Sequence, residues 1–163
     1  MHERVLDVLD ANPTIKWREL RHNDFDVPIK NASDFAECLT YQIERITKTI
    51  LLSGDDDKKR FCLIILSSNQ KFDRNKLASL LNVKKIQVAS IEELKKEIGF
   101  PHSGVSPLSI YKMPIFIDES LVSFTSILIG SGEVGAEIEI SPIELIALTN
   151  ASVESFTLRP DYN

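Results

Sequence analysis

The sequence predicts an α/β fold, a mixed β-sheet or barrel with peripheral helices. Three observations predict it. Apolar runs of strand length alternate irregularly with amphipathic helical segments, and several strand-like runs follow one another directly. No apolar stretch approaches the ~20 residues that a membrane span needs. The chain has 163 residues, 43% hydrophobic and 26% charged, an ordinary balance for a soluble globular protein, and is expected to form a single domain over residues 1–163.

The elements follow in order. ERVLDVLDAN carries Val5, Leu6, Val8 and Leu9 at helical spacing before Pro13, and WRELRH has the pattern of a short strand. ASDFAECLTYQIERI predicts one helix, with Ser33 as N-cap and Phe35, Leu39 and Ile43 on one face. TKTILLS and KRFCLIILS are two strands joined by the polar turn GDDDK, and the run FCLIIL predicts a strand covered on both faces. DRNKLASLLN is a helix with Asp73 near its start. SIEELKKEIG is another, with Ser90 and Glu93 at capping-box spacing and Gly99 at its end. PIFID, TSILIG and AEIEIS are three further strands. SPIELIALTN predicts a helix with Ser141 at the N-cap and Pro142 at N1, and ESFTL predicts a last strand.

The formal net charge of −5 argues against a general nucleic-acid binder, but the charge is unevenly distributed. Residues 58–96 hold ten Lys/Arg against three Asp/Glu. Residues 118–163 hold one Arg against eight Asp/Glu. A split of this kind offers one basic face to a phosphate-bearing partner, although solvated helix faces are the commoner reason for it. The start MHERVLDVLD lacks the basic flank and apolar block of a signal peptide, and Cys38 and Cys62 are too few for a disulfide framework. A reducing cytoplasm is the expected location.

Five of the six glycines fall in two short stretches, GFPHSGVSPL at 99–108 and IGSGEVGAE at 129–137. Glycine permits positive φ and close backbone approach, so the two stretches are expected to be loops shaped around something. Gly130, Gly132 and Gly135 satisfy GxGxxG spacing, but a strand rather than a helix follows, which excludes a dinucleotide loop. His2 is expected to be disordered. His22 and His102 have no metal-ligand spacing, Cys62 suits a core position, and Ser106 lacks a nucleophile elbow. Lys48 stands between Ile46 and Ile50 at a strand entrance, where a cation must escape, pair or serve a ligand. Asp118 ends PIFID, where a turn or helix cap is its ordinary role. Glu137 and Glu139 alternate with Ile138 and Ile140 and so share the opposite face, ordinarily a solvent face.

Taken in order, ITKTILL with Lys48, GFPHSGVSPL, PIFIDESL and SGEVGAEIEISPIEL resemble the YbaK family of aminoacyl-tRNA editing domains. That family includes the insertion domain of bacterial prolyl-tRNA synthetases and its free-standing relatives. The resemblance spans nearly the whole chain. It implies a mixed β-barrel flanked by helices and a free-standing deacylase acting in trans on mischarged tRNA, foremost tRNA-Pro. No metal, cofactor or covalent protein nucleophile is implied. It further implies that Lys48, Gly104 and Ser106 are catalytic, with Lys48 holding the terminal phosphate or sugar. Ser103, Val105, Pro107, Asp118, Gly130, Ser131, Gly132 and Glu137 are the implied substrate-binding residues. Mischarged tRNA and an aminoacyl-tRNA synthetase are the implied partners, without membrane or DNA.

The chain departs from the family pattern at several places. Ser103 stands where the family loop has glycine, so its Cβ is expected to strain a positive φ or narrow the pocket. Glu133 replaces a basic residue. Gly130 and Glu137 replace a serine and an aspartate of the cysteine-specific branch, which argues against cysteine as the amino acid removed. Lys84 and Lys85, in the basic segment, are candidate tRNA contacts. Two other functions fit less well, a non-catalytic module binding aminoacyl-tRNA or a synthetase, and a hydrolase of a smaller ester or amide, for which no nucleophile–base pair is visible.

Overall fold

The computed structural model describes residues 1–158. Five helices and eight strands follow one another as α1 (Glu3–Asp10), β1 (Trp17–Arg21), α2 (Ala32–Leu39), β2 (Thr47–Gly54), β3 (Phe61–Ser67), α3 (Arg74–Leu81), β4 (Ile86–Val88), α4 (Ile91–Glu97), β5 (Ile115–Asp118), β6 (Ile127–Gly130), β7 (Ala136–Ile140), α5 (Pro142–Thr149) and β8 (Ser152–Glu154). Two sheets result. One is antiparallel, in the order β1-β7-β6. The other is mixed, in the order β4-β2-β3-β5-β8, with β3, β5 and β8 parallel. A parallel bridge between Ile46 and Leu128, with the Thr47 hydroxyl donating to the Leu128 carbonyl at 2.7 Å, joins the sheets into a partly closed barrel.

The strand β3 shows why FCLIIL is continuously apolar. Side chains alternate along a strand, so Leu63 and Ile65 enter the main core between the sheets while Cys62, Ile64 and Leu66 meet Leu77 and Leu81 of α3 on the outer face. Both faces are dry, and burial pushes the Cys62 thiol up to about 12, out of reach of thiolate chemistry. A third cluster sets Phe35 and Ala36 of α2 against Ile46 and Leu128, at the junction of the two sheets.

Local signals set most boundaries. Asp73 accepts from the Asn75 and Lys76 amides, and Ser90 and Glu93 form a capping box. Four expectations fail. The helix α2 is capped by Asn31 rather than Ser33, and it ends at Leu39 because Thr40 turns left-handed with φ 56°. The chain then passes through a 3-10 turn at Ile43–Arg45 into β2, with the Arg45 guanidinium stacked 3.7 Å from the Tyr41 ring. The strand β4 was not expected, since its three residues bury only Ile86 and show no periodicity. The last strand is Ser152–Glu154. Phe156 and Thr157 of ESFTL are instead held by Asp118 and Phe72. His2 is ordered: it caps α1, accepting from the Arg4 amide at 3.2 Å, and packs edge-on against Phe100.

Candidate active site

The two glycine-bearing loops pack against each other, backbone on backbone. A Cβ on Gly104 would lie 2.5 Å from the carbonyl of Glu133, and one on Gly130 would run into the carbonyl oxygen of Val105. Close approach between the loops therefore demands glycine at these two positions. Ser131 sits inside this packing, its hydroxyl meeting the Glu133 backbone, and Gly132, with φ +83°, lies against His2 and Phe100.

Beside the packed loops lies a cavity of about 390 Å³. Its walls come from distant parts of the chain. Lys48 and Thr47 come from β2, His22 from the end of β1, Asn31 and Phe35 from α2, Ser68 from the end of β3, and Ser103 and Glu137 from the two loop regions. Hydrophobic packing of α2 onto Ile46 and Leu128 forms one side, and the pairing of β1 with β7 brings His22 near Glu137. The His22 amide donates to the Gly135 carbonyl at 2.9 Å, which fixes where the imidazole stands.

The polar groups on these walls are only partly satisfied. The His22 Nε2 stands 3.6 Å from a Glu137 carboxylate oxygen, beyond hydrogen-bond range. That nitrogen and the Ser68 hydroxyl are buried and have no hydrogen-bond partner among the described residues. Burial, the larger influence, raises the Glu137 carboxyl above its ordinary range, and the nearby imidazole offsets part of the rise. The Lys48 ammonium donates to the Gln70 carbonyl at 2.6 Å. Burial and then the neighbouring Lys71 lower its pKa, because two cations share a half-enclosed space. A cation so placed gains from an anion, and the His22 imidazole, the Glu137 carboxyl and the Ser68 hydroxyl line the same cavity.

Of the residues singled out from sequence, Lys48, Ser103 and Glu137 line this cavity together. The others stand behind its walls. Ser106 is fully buried and its hydroxyl accepts from the Leu108 amide at 3.2 Å, so its side chain holds the loop rather than facing the cavity. Gly104, Val105 and Pro107 are buried with it. Asp118 is 1% exposed and fulfils its ordinary capping role. Its carboxylate accepts from the Ser120, Phe156 and Thr157 amides, tying the C-terminal segment to β5. Gly130, Ser131 and Gly132 belong to the loop packing. Ser103 is exposed and its φ is not positive, so the expected strain is absent. The Glu133 carboxylate is engaged by the Met1 ammonium at 2.7 Å.

Asn31 and Ser68 join the cavity without having been singled out, and so do His22 and Phe35, which the sequence raised only as a metal ligand to be excluded and as a helix-face residue. Nothing local marks them, since each sits in an unremarkable turn or helix and acquires its place from strand pairing.

The fold and the cavity define a class: a small mixed α/β barrel with a cavity beside its packed loops, lined in part by a half-buried lysine. The profile of the aminoacyl-tRNA editing domain matches residues 26–148, and the chain belongs to that family. Among its relatives, a protein of Enterococcus faecalis named as a candidate Cys-tRNA(Pro)/Cys-tRNA(Cys) deacylase, EbsC, is 28% identical over 130 residues, covering 79% of this chain and 78% of that one. A proline–tRNA ligase of Lactobacillus acidophilus is 30% identical over 99 residues, 60% of this chain but 17% of the ligase. The crystal structure of a candidate trans-editing enzyme for prolyl tRNA synthetase superimposes with a TM-score of 0.78 at 24% identity, over 98% of this chain and 99% of that one, and shares its fold. No helix among the described residues is long and apolar enough to cross a membrane.

Proposed function

We propose that this protein is an aminoacyl-tRNA deacylase that acts in trans in the cytoplasm, as a single domain, on mischarged tRNA, foremost tRNA-Pro. One observation carries the reading: Lys48, His22, Glu137 and Ser103 line one cavity although they are far apart in the chain. Membership of the editing family supports it, and so does the match to the E. faecalis relative over most of that relative's length.

The reaction asks little of the protein. An aminoacyl ester is already activated. Water attacks its carbonyl carbon, the ester C–O bond breaks, and free amino acid and the tRNA 3′ hydroxyl result. Orientation of the ester and of the water supplies most of the acceleration. Lys48 holds the phosphate of the terminal nucleotide through a charge-assisted contact, with its ammonium already positioned by the Gln70 carbonyl. The unpartnered His22 Nε2 and the Glu137 carboxyl face the same space and orient the water or the amino group of the substrate. A cavity of this volume selects by size and by polar match to the amino-acid side chain.

The test is deacylation of tRNA-Pro charged separately with alanine, cysteine, serine and proline. One mischarged species is cleared and prolyl-tRNA is spared, and Lys48→Ala slows clearance by about 100-fold. Survival of every mischarged tRNA in the presence of folded protein would replace the deacylase reading with that of a binding module.

A further inference from the structure

Lys48 borders a second cavity, of about 590 Å³, on its other side. Lys71, Phe72, Asp73, Arg74, Asn75 and Leu158 line the rest of it. The pairing of Phe72 with Thr157, and the Leu158 amide donating to the Lys71 carbonyl at 2.8 Å, build its floor. Nothing in the deacylation chemistry accounts for this cleft.

Its composition is selective. Lys71 and Arg74 are exposed, and among the described residues no carboxylate lies within ion-pair distance of either or of Lys48. The one acid present, Asp73, is occupied in capping α3 through the Asn75 and Lys76 amides. The Arg74 guanidinium lies 5.5 Å from the centre of the Phe72 ring and donates to the Ile86 carbonyl at 3.3 Å, so the ring and the cation are held as one surface. Cations with no ion-pair partner among the described residues, set beside an aromatic face and an amide, are what single-stranded RNA requires, namely charge for its phosphates and a flat partner for a base. Burial and Lys71 together lower the Lys48 pKa, which adds to the gain from an anion between the two lysines.

We propose that this second cleft receives the nucleotide preceding the terminal adenosine of the tRNA, with Lys48 at the phosphate between the two. Lys71 and Arg74 then hold the next phosphate toward the 5′ side, and Phe72 with Arg74 stacks the penultimate base. The assignment of the ligand as a tRNA 3′ end rests on the deacylase reading, while the shape and charge of the cleft do not. Only Lys71 and Arg74 of the basic segment border this cleft. Lys85 accompanies Asp55 past the far end of β2, its carbonyl accepting the Asp55 amide at 2.9 Å, about 23 Å along the strand from Lys48.

The experiment measures binding of uncharged tRNA-Pro transcript, intact or lacking its 3′ CCA, by native protein and by three variants, at several salt concentrations. Native protein prefers the intact transcript by about tenfold. Lys71→Ala/Arg74→Ala brings that preference close to one and makes the salt slope shallower by about 0.7, the contribution of one single-strand phosphate contact. Phe72→Leu weakens the preference about threefold without altering the slope, as loss of stacking alone requires. The control Lys84→Ala/Lys85→Ala keeps the preference. The proposal is overturned by an unchanged preference in the Lys71/Arg74 variant, by equal native binding of both transcripts, or by an equal loss in the Lys84/Lys85 control, which would mean bulk charge. Binding does not depend on turnover, so failure of native protein to deacylate any tRNA strikes the deacylase reading and leaves this result to judge the cleft.

Discussion

Glu137 and Glu139 lie on the same face of β7, yet their environments drive them in opposite directions. Burial dominates at Glu137 and raises its carboxyl. Burial also opposes the charge of Glu139, but hydrogen bonds from Ser126, Arg18 and Tyr41 outweigh it and hold that carboxyl below the ordinary range. The stability consequence for Glu137 has a definite sign. Its folded pKa is above the unfolded one, so its contribution is undiminished below about pH 4.5 and is lost as pH rises through the raised value. Glu137→Gln therefore gains on native protein as pH rises and is more stable at pH 7 by roughly 1 kcal/mol. Urea unfolding at pH 4.5 and 7 measures this, and an equal difference at both pH values would refute it. The raised carboxyl is what the proposed role of Glu137 in orienting substrate would use.

The two glycine loops act as one element. Gly130→Ala forces its Cβ into the Val105 carbonyl and is expected to cost about 3 kcal/mol, as overpacking does. Gly135, with φ +83° and open space around its missing Cβ, costs only the backbone strain of about 1 kcal/mol when changed to Ala. Thermal unfolding of the pair separates packing from conformation: equal losses would mean that the loops are not held together. Helix ends at this scale were readable where a side chain makes its own cap, as at Asp73 and Ser90. They were unreadable where a tertiary contact sets them. The end of α2 at Thr40 serves the turn that feeds β2, and the bond from Tyr41 to Glu139 forms only once β7 is in place.

In the whole molecule the two sheets share a seam, and Glu139 spans it. Its carboxylate accepts from Arg45 at 3.0 Å and Tyr41 at 2.9 Å ahead of β2, and from Ser126 at 2.8 Å beside β6. Its folded pKa lies below the unfolded one, so its contribution is present above about pH 4.5 and is lost as pH falls through the depressed value. Glu139→Gln accordingly costs about 2 kcal/mol at pH 7, the range for hydrogen bonds to a charged group. The difference from native protein shrinks toward acid. Urea titrations across that range check it, and a constant difference would show that the charge of Glu139 does not hold the seam.

The sequence by itself determined the element types, most caps and the two-faced burial of β3, because each depends on residues within a turn or two of one another, and the resemblance to the editing family, because its motifs stand in order along the chain. It also placed Lys48 and Glu137 among the candidates. Only the tertiary structure decided what those residues face. His22 meets Glu137 because β1 pairs with β7, Lys48 borders two cavities because β2 begins there, and Ser106 and Asp118 turn inward to hold loops and chain ends. The glycines gave the clearest divergence. Their spacing signalled close approach, but a missing Cβ does not say what approaches. Strand register decided that it is the other loop, since the loops meet only after the sheets have paired and closed.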